Sequence, residues 1–181
     1  MSYPSFSVGE VLTAADMNAV GMWLVKTQTI GTTVSSITVS SAFSSSYDAY
    51  RIVITGGVGS TDLDLRFNFD GNTAGYYSSA VYHQYATASA KADGLGRNGI
   101  AYWDFVGGAS TSAIYSVFDV LNPYAAKKSS YVAQIGVGNT GGSALFAAGF
   151  HDSATSFTGF RIETSTGTLT GGTIRVYGYR N

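Results

Sequence analysis

Apolar and polar residues alternate with a period of two along most of the chain beyond Met22. The segment DLDLRFNF, residues 62–69, has only leucine or phenylalanine at its odd positions and only charged or amide residues at its even ones. A β-strand points successive side chains to opposite faces of a sheet, so this pattern predicts strands with one buried face. Glycine-rich and Asn-Pro turns separate the alternating segments. The chain is therefore predicted to be an all-β, antiparallel β-sandwich with a jelly-roll-like arrangement.

About ten short strands are predicted from this pattern, which is typical of a sandwich. They lie at 24–30, 36–39, 50–55, 62–69, 76–85, 100–106, 112–121, 130–137, 144–150, 158–163 and 173–179. The strands at 50–55 and 62–69 are predicted to form a hairpin, because the residues between them have turn composition. Residues 86–99 form the one long polar segment with a weak pattern, and a surface loop is predicted there.

The first 24 residues differ from the rest and are predicted to be a docking segment, with the β-sandwich domain at 25–181. Thr13 and Asp16 resemble the N-terminal capping box of a helix, and Gly21 is a natural stop. A helix at 13–20 would be too short to be stable alone in water, so we expect it to dock on its own domain or on a neighbour. The segment lacks the pattern of a secretory signal, so synthesis in a cytoplasm is expected.

The composition narrows the possible function classes. Charged residues make up 12% of the chain, and 10 Lys+Arg face 11 Asp+Glu. A nucleic-acid partner is not expected, because no basic cluster is present to neutralise phosphates. Membrane insertion is not expected either, because no apolar run approaches the roughly 20 residues that cross a bilayer. The chain has no cysteine, which excludes thiol catalysis and thiolate metal sites.

Several short motifs could indicate an enzyme, but the residues around each of them do not fit the structure that the motif requires. The GLGRNG at 94–99 fits the G-x-G-x-x-G of dinucleotide sites, but a β-like segment follows it where a helix is required, so a flexible loop is predicted. His83 and His151 belong to no catalytic motif, and the turn at 70–72 lacks a complete calcium-binding loop. Asp62 and Asp64 lie on the exposed face of their predicted strand, as solvated residues do. The chain is therefore predicted to be no enzyme and to need no cofactor or metal.

Aromatic residues cluster on both sides of the predicted loop at 86–99. Flat rings with a polar edge suit both sugars and protein interfaces, and loops on a rigid β-scaffold are where binding residues concentrate. The residues predicted to face a ligand are Tyr82, His83, Tyr85, Arg97 and Trp103. The alternative interpretation places the rings in the core or in a subunit interface.

Four segments of the chain resemble parts of tail and fibre proteins of tailed bacteriophages. The opening FSVGEVLTAADMN at 6–18 resembles the start of many such proteins, and the segments YDAYRIVI, LRFNFD and GTIRVYGY resemble their β-sandwich domains. The resemblance implies a virion protein with an N-terminal docking segment and a distal β-domain, and it implies three-fold symmetry. The residues expected to dock on the particle are Phe6, Val11, Leu12, Thr13, Asp16 and Met17.

Three functions fit these observations. The first is a short tail-fibre or tail-tip subunit, a homo-oligomer with a trimer as first choice, that attaches to a host-surface glycan through many weak sites. The second is a capsid decoration or cement protein that binds no ligand. The third is a glycan-cleaving tail enzyme, which the sequence favours least because no convergent acid pair is evident. The expected location in each case is the virion, in the tail or on the capsid surface.

Overall fold

The computed structural model describes residues 8–9, 11, 21–85, 92–138 and 142–179. These residues contain fourteen strands and no helix, so the all-β prediction is confirmed for the part of the chain described. It follows that no helix in those ranges is long and apolar enough to cross a membrane. The predicted helix at 13–20 lies outside the described residues. So do five of the six docking positions, Phe6, Leu12, Thr13, Asp16 and Met17, whereas Val11 is described and exposed.

The predicted strands are confirmed, with their ends shifted by a few residues. In chain order the strands are β1 (Met22–Thr29), β2 (Ser36–Val39), β3 (Ala49–Thr55), β4 (Val58–Gly59), β5 (Leu63–Phe69), β6 (Tyr76–Gln84), β7 (Ala92–Ile100), β8 (Trp103–Ala109), β9 (Ile114–Leu121), β10 (Ser130–Val137), β11 (Ser143–His151), β12 (Phe160–Thr164), β13 (Leu169–Thr170) and β14 (Thr173–Tyr179). All pairings among these strands are antiparallel. Because β1 begins at Met22, the boundary placed after residue 24 falls inside a strand.

The strands form two layers that are joined at one corner. The larger layer has eight strands in the order β1-β14-β3-β9-β10-β11-β6-β7, and the smaller has four in the order β2-β12-β5-β8. A short ladder between β8 and β9 links the layers into one sheet that folds over itself. The two remaining strands, β4 and β13, pair with each other, and Leu169 of β13 also forms a bridge with Val34.

The core between the layers is rich in aromatic rings. Phe67 of β5 stacks on Trp103 of β8 with ring centroids 5.1 Å apart, and it meets Phe118 of β9 edge-on at 5.8 Å. Trp103 stacks in turn on Tyr131 of β10 at 4.8 Å. These contacts connect the smaller layer to the larger one, and the apolar area that they remove from water is the main source of stability.

The predicted hairpin between 50–55 and 62–69 is wrong. β3 pairs with β14 and β9 in the larger layer, whereas β5 pairs with β12 and β8 in the smaller. Residues 56–60 therefore carry the chain from one layer to the other. Gly57 is required at this crossing, because its φ is +76° and a Cβ there would lie 2.2 Å from the carbonyl oxygen of Gly171. The alternation could not reveal the crossing, since both strands bury one face in the same core.

The predicted surface loop at 86–99 is wrong for its second half. Residues 92–99 belong to β7, which pairs with β6 at one edge of the larger layer. The prediction failed because the GLGRNG segment has few strand-forming side chains and no apolar alternation. The same pairing shows that the segment is a strand and not a flexible loop. Residues 86–91 lie outside the described residues.

Candidate binding face

The side of the larger layer that points away from the core is called the outer face here. Alternation fixes which side chains it carries: Phe118 and Ala147 point into the core and are buried, and their neighbours along the strands point outward. Strand registers place Val53 beside Val117, Asp119 beside Val132, Gln134 beside Phe146, and Phe146 beside Val81. The outer face thus carries apolar side chains together with polar ones such as Arg51, Asp119 and Gln134, and three shallow depressions lined by described residues are considered on it.

One depression has a volume of about 340 Å³ and is called the Tyr85 groove. Its lining residues are Tyr85, Gln134, Ile135, Gly136, Ala144, Leu145 and Phe146. Tyr85 directly follows β6 and is 60% exposed, and Phe146 of β11 is 52% exposed. The Tyr85 ring lies against backbone, because a Cβ on Gly142 would be 2.7 Å from Cδ2 of that ring. Two exposed rings therefore lie together at this groove, Tyr85 directly after β6 and Phe146 on β11.

Hydrogen-bonding groups in the Tyr85 groove are available to a ligand. Gln134 is exposed, and within the described residues neither its amide nor the Tyr85 hydroxyl has a hydrogen-bond partner. An amide offers two donors and an acceptor, and a phenol offers one donor and an acceptor. Aromatic faces beside such groups suit a ligand that is apolar on one side and hydroxylated at its edge, as a sugar ring is.

A second depression, called the Phe150 groove, has a volume of about 240 Å³. It is lined by Tyr77, Ser78, Ser79, Arg97, Ala148, Gly149 and Phe150. The rings of Tyr77 and Phe150 are stacked with centroids 4.7 Å apart. The Lys128 ammonium lies 5.6 Å from the Phe150 ring centre and is paired with Asp152. The aromatic faces and charges at this groove are thus already engaged with one another.

The third depression, called the Asp119 depression, measures about 210 Å³. Its lining residues are Arg51, Val117, Phe118, Asp119, Val132, Gln134 and Phe146. Arg51 donates through Nε and Nη2 to the two carboxylate oxygens of Asp119, at 2.9 and 2.7 Å, and the Tyr179 hydroxyl donates to the same carboxylate at 3.0 Å. The hydrogen bond to Asp119 raises the pKa of Arg51, and burial raises the pKa of Tyr179. The charged groups here neutralise each other.

Arg97 binds a buried carboxylate. Its Nε donates to Asp104 at 2.9 Å, and Arg66 donates to the other oxygen of that carboxylate at 3.4 Å. The Asp104 side chain is only 3% exposed, and the two arginines compensate the cost of burying its carboxylate. Burial, reinforced by the charge of Asp104, raises the pKa of Asp64 nearby. Arg97 therefore ties β7 to β8, and it also lines the Phe150 groove.

The structure does not bring the five predicted ligand residues together. Tyr85 and His83 share the outer face, whereas alternation turns Tyr82 to the other side of β6. Arg97 pairs with Asp104. Trp103 has no exposed surface, which corrects its assignment to a ligand face: its ring fills the core, as the alternative interpretation had it.

The second histidine, His151, has a structural position. It is fully buried, and its Nε2 lies 3.2 Å from the side-chain oxygen of Asn72 and 3.0 Å from the carbonyl oxygen of Ala74. These contacts hold the turn after β5 against β11. In the described part of the chain, no group of three or more histidine, aspartate or glutamate side chains is arranged to hold a metal ion.

Sequence reasoning missed the residues that complete the Tyr85 groove, Gln134 and Phe146. Their strands were predicted, but the segment ALFAAGF in β11 has apolar residues on both faces. The period alone therefore cannot tell that Leu145 points inward and Phe146 outward. The low polarity of both faces was the one available signal, since it indicates that the outer side of this strand also makes contacts.

Comparison with known proteins adds no assignment to this geometry. No protein-family model matches the chain, and no curated protein and no solved structure matches it. Any proposal for its function therefore depends on its own residues, on their arrangement and on the resemblance of its short segments.

Proposed function

We propose that the chain is a structural subunit of a tailed-bacteriophage virion, a short tail fibre or tail tip, that attaches to a glycan on the host surface. The observation that carries the attachment is the Tyr85 groove, in which two exposed rings lie beside polar groups of Tyr85 and Gln134 that have no partner among the described residues. The virion location is supported by the resemblance of residues 6–18 and of three later segments to phage tail and fibre proteins.

An open groove of this size fits weak binding that is repeated over several copies. Its volume of about 340 Å³ is at the lower end of the usual range for ligand sites. Linking several weak sites can raise the overall affinity by about 10²–10⁴-fold without any new contact. A homo-oligomer, with a trimer as first choice, would present such sites together to a surface covered with repeating sugars.

We also propose a jelly-roll connectivity, which the strand order supports. The chain changes layers between β1 and β2, β2 and β3, β3 and β5, β5 and β6, β7 and β8, β8 and β9, β11 and β12, and β12 and β14. The resulting sets β1-β14-β3-β9 and β2-β12-β5-β8 match two interleaved Greek keys of eight strands. The pairs β6–β7 and β10–β11 would then be inserted hairpins that widen one layer. Jelly rolls occur in both viral capsid and lectin domains, so this fold is compatible with the proposal without proving it.

Attachment to the particle through residues 1–24 is supported by the start of β1. Met22, Trp23 and Leu24 are 45%, 37% and 56% exposed. Successive residues of a strand point to opposite sides, so this strand presents apolar side chains on both. Among the described residues β1 is also an edge strand, with β14 as its one partner. A neighbouring virion protein that covers these three side chains would anchor the subunit.

A capsid decoration protein is the second candidate, and the Asp119 depression favours it. The charged groups there, Arg51 and Asp119, are already paired within the chain, which favours protein contact at that part of the outer face. In this candidate the Tyr85 groove would be a protein contact too, and the protein would bind no glycan.

The experiment is a comparison of Tyr85→Ala with Trp23→Ala in two assays. The probes are polysaccharide fragments purified from the host surface and incorporation of the subunit into particles. We expect Tyr85→Ala to weaken fragment binding at least tenfold, which corresponds to about 1.4 kcal/mol, and to leave incorporation unchanged. Trp23→Ala should leave fragment binding unchanged and reduce incorporation of the subunit into particles.

Both rings are exposed, so neither substitution should lower the melting temperature appreciably. Unchanged fragment binding by Tyr85→Ala would refute the attachment site. If the unmodified protein binds no fragment at all, the decoration candidate replaces this proposal. Release of new reducing ends from the polysaccharide would instead indicate a glycan-cleaving enzyme.

A further inference from the structure

Asn98 and Gly99 lie in a bulge of β7, the strand at one edge of the larger layer. In the register of β6 and β7 these two residues lie together opposite the single residue Tyr77. Gly99 has a φ of +66°, a conformation that glycine adopts without strain. Among the described residues, β6 is the one neighbour that β7 has in the sheet. The backbone at this bulge is therefore held by fewer neighbours than the backbone of a central strand.

The Asn98 side chain and the peptide bond that follows it are open to solvent. Asn98 and Gly99 are both exposed. A Cβ on Gly99 would meet the hydroxyl end of the Tyr77 ring at 3.6 Å and no backbone atom of another strand within 4 Å. In the part of the chain that the structure describes, the Asn98 amide has no hydrogen-bond partner. Nothing in that part of the chain therefore holds the amide away from the nitrogen of Gly99.

This arrangement favours attack of the Gly99 backbone nitrogen on the Asn98 side chain. The nitrogen loses its proton to water or hydroxide and forms a bond to Cγ of Asn98. The Cγ–Nδ2 bond then breaks, and Nδ2 takes up a proton and leaves as ammonia. Water opens the resulting succinimide ring at either of its two carbonyl carbons, which gives aspartate or isoaspartate. Glycine permits the ring closure readily, because no Cβ restricts its backbone or shields its nitrogen.

The other asparagines in the described ranges lack this arrangement. Asn68 is only 5% exposed and is followed by a phenylalanine. The side-chain oxygen of Asn72 accepts a hydrogen bond from the backbone nitrogen of Ala74 at 3.1 Å. Asn122 is followed by Pro123, whose nitrogen carries no hydrogen to lose. Each of the three is therefore protected by burial, by a hydrogen bond or by the residue that follows it.

We propose that Asn98 is a modification site, at which the native protein deamidates spontaneously to aspartate and isoaspartate. Asparagine is a thermolabile residue, and Asn98 is the one asparagine of the sequence that precedes a glycine. The bulge and the exposure leave it about as reactive in the folded protein as in the unfolded chain. The inference goes beyond the proposed function and does not depend on it.

Conversion places a new charge and a changed backbone in the edge strand. The added carboxylate lies next in the chain to Arg97, whose Nε donates to Asp104 at 2.9 Å and so ties β7 to β8. It also makes the net charge of the chain, −1, more negative by one unit. Isoaspartate adds one carbon to the main chain of β7 as well. We therefore expect the protein to separate by charge as it ages, with the modified fraction changed at residue 98.

The test measures deamidation at each asparagine separately. Native protein is incubated at mildly alkaline pH in water enriched in heavy oxygen, which enters each new carboxyl group. It is then digested with pepsin at acidic pH, and the peptides are analysed by mass spectrometry. We expect Asn98 to acquire label at least about tenfold faster than Asn68 or Asn72.

The same incubation in urea shows how far the fold protects each site. The native rate at Asn98 should lie within about tenfold of the unfolded rate, whereas Asn68 should react at least about tenfold more slowly in the native protein. Asn98→Gln is the matched control and should leave its peptide unlabelled, because glutamine would have to close a larger ring. Equal labelling of that peptide in Asn98→Gln would overturn the proposal. So would a native rate at Asn98 that falls below the unfolded rate by more than about tenfold.

Discussion

Replacing Trp103 with alanine tests whether the aromatic core holds the two layers together. The indole has no exposed surface, and four rings surround it. It stacks on Phe67 and Tyr131 at 5.1 and 4.8 Å, and it meets Phe69 and Tyr76 edge-on at 5.3 and 5.6 Å. These rings come from β5, β6 and β10, so the substitution opens a cavity between both layers.

The magnitude of this loss follows from the burial of Trp103. Phenylalanine and tryptophan truncations in cores cost about 3–5 kcal/mol, and four ring contacts place Trp103→Ala near the upper end. The total free energy of unfolding of a domain is about 5–15 kcal/mol. For a chain of this length each kcal/mol shifts the melting temperature by about 2–4 °C, so we expect a decrease of roughly 10–20 °C.

Trp103→Phe is the matched comparison. Within the described residues the indole nitrogen of Trp103 has no hydrogen-bond partner, and an unsatisfied buried donor costs about 1–3 kcal/mol. Phenylalanine removes that donor while it keeps most of the ring contacts, so we expect this variant to lose less than about 2 kcal/mol. Thermal and urea denaturation followed by circular dichroism measure both variants. A Trp103→Ala protein that melts within about 2 °C of the original would refute this account of the core.

Three further perturbations have defined outcomes. Gly149→Ala should disrupt the pairing of β6 with β11 and lower the urea midpoint, because the added Cβ would lie 2.1 Å from the carbonyl oxygen of Tyr77. Gly96→Ala is the control and should leave the urea midpoint unchanged, because a Cβ there meets nothing within 4 Å. Asp104→Asn should lower the free energy of unfolding, measured by urea denaturation, by about 2 kcal/mol. Breaking a fully buried ion pair costs about 3–5 kcal/mol, but Arg66 and Arg97 keep some contact with solvent, so the loss should be smaller here. Burial raises the pKa values of Tyr76 and Tyr131. Above about pH 10 unfolding therefore releases protons from these two side chains, and the free energy of unfolding should decrease as the pH rises. A melting temperature that stays constant between about pH 9 and about pH 11 would contradict this.

Much of the fold could be predicted from the alternation, because that pattern reports local geometry and burial together. The segment at 62–69 forms β5 with Leu63 and Leu65 buried, as its period requires. The layer to which a strand belongs is not encoded in its period. β3 and β5 bury their alternate residues in the same core from opposite sides, so a hairpin and a crossing give the same sequence pattern.

The candidate site was less predictable than the fold for a related reason. Tyr85 could be identified because it is an aromatic residue next to a polar segment. Its partners Gln134 and Phe146 come from strands that are distant in sequence, and only the antiparallel registers of β10, β11 and β6 bring them alongside. Trp103 is likewise an aromatic residue near that polar segment, and only the packing of the two layers shows that it lies in the core.

The pairing of polar groups separates two regions on the outer face. At the Tyr85 groove the Gln134 amide lacks a partner in the described chain, so covering it costs a hydrogen bond unless the covering group supplies one. At the Asp119 depression Arg51 and Asp119 are bound to each other, so covering this pair leaves no charge unpaired. The two depressions are neighbours, because Gln134 and Phe146 line both of them. The cost of covering this part of the outer face therefore depends on whether the Gln134 amide gains a partner.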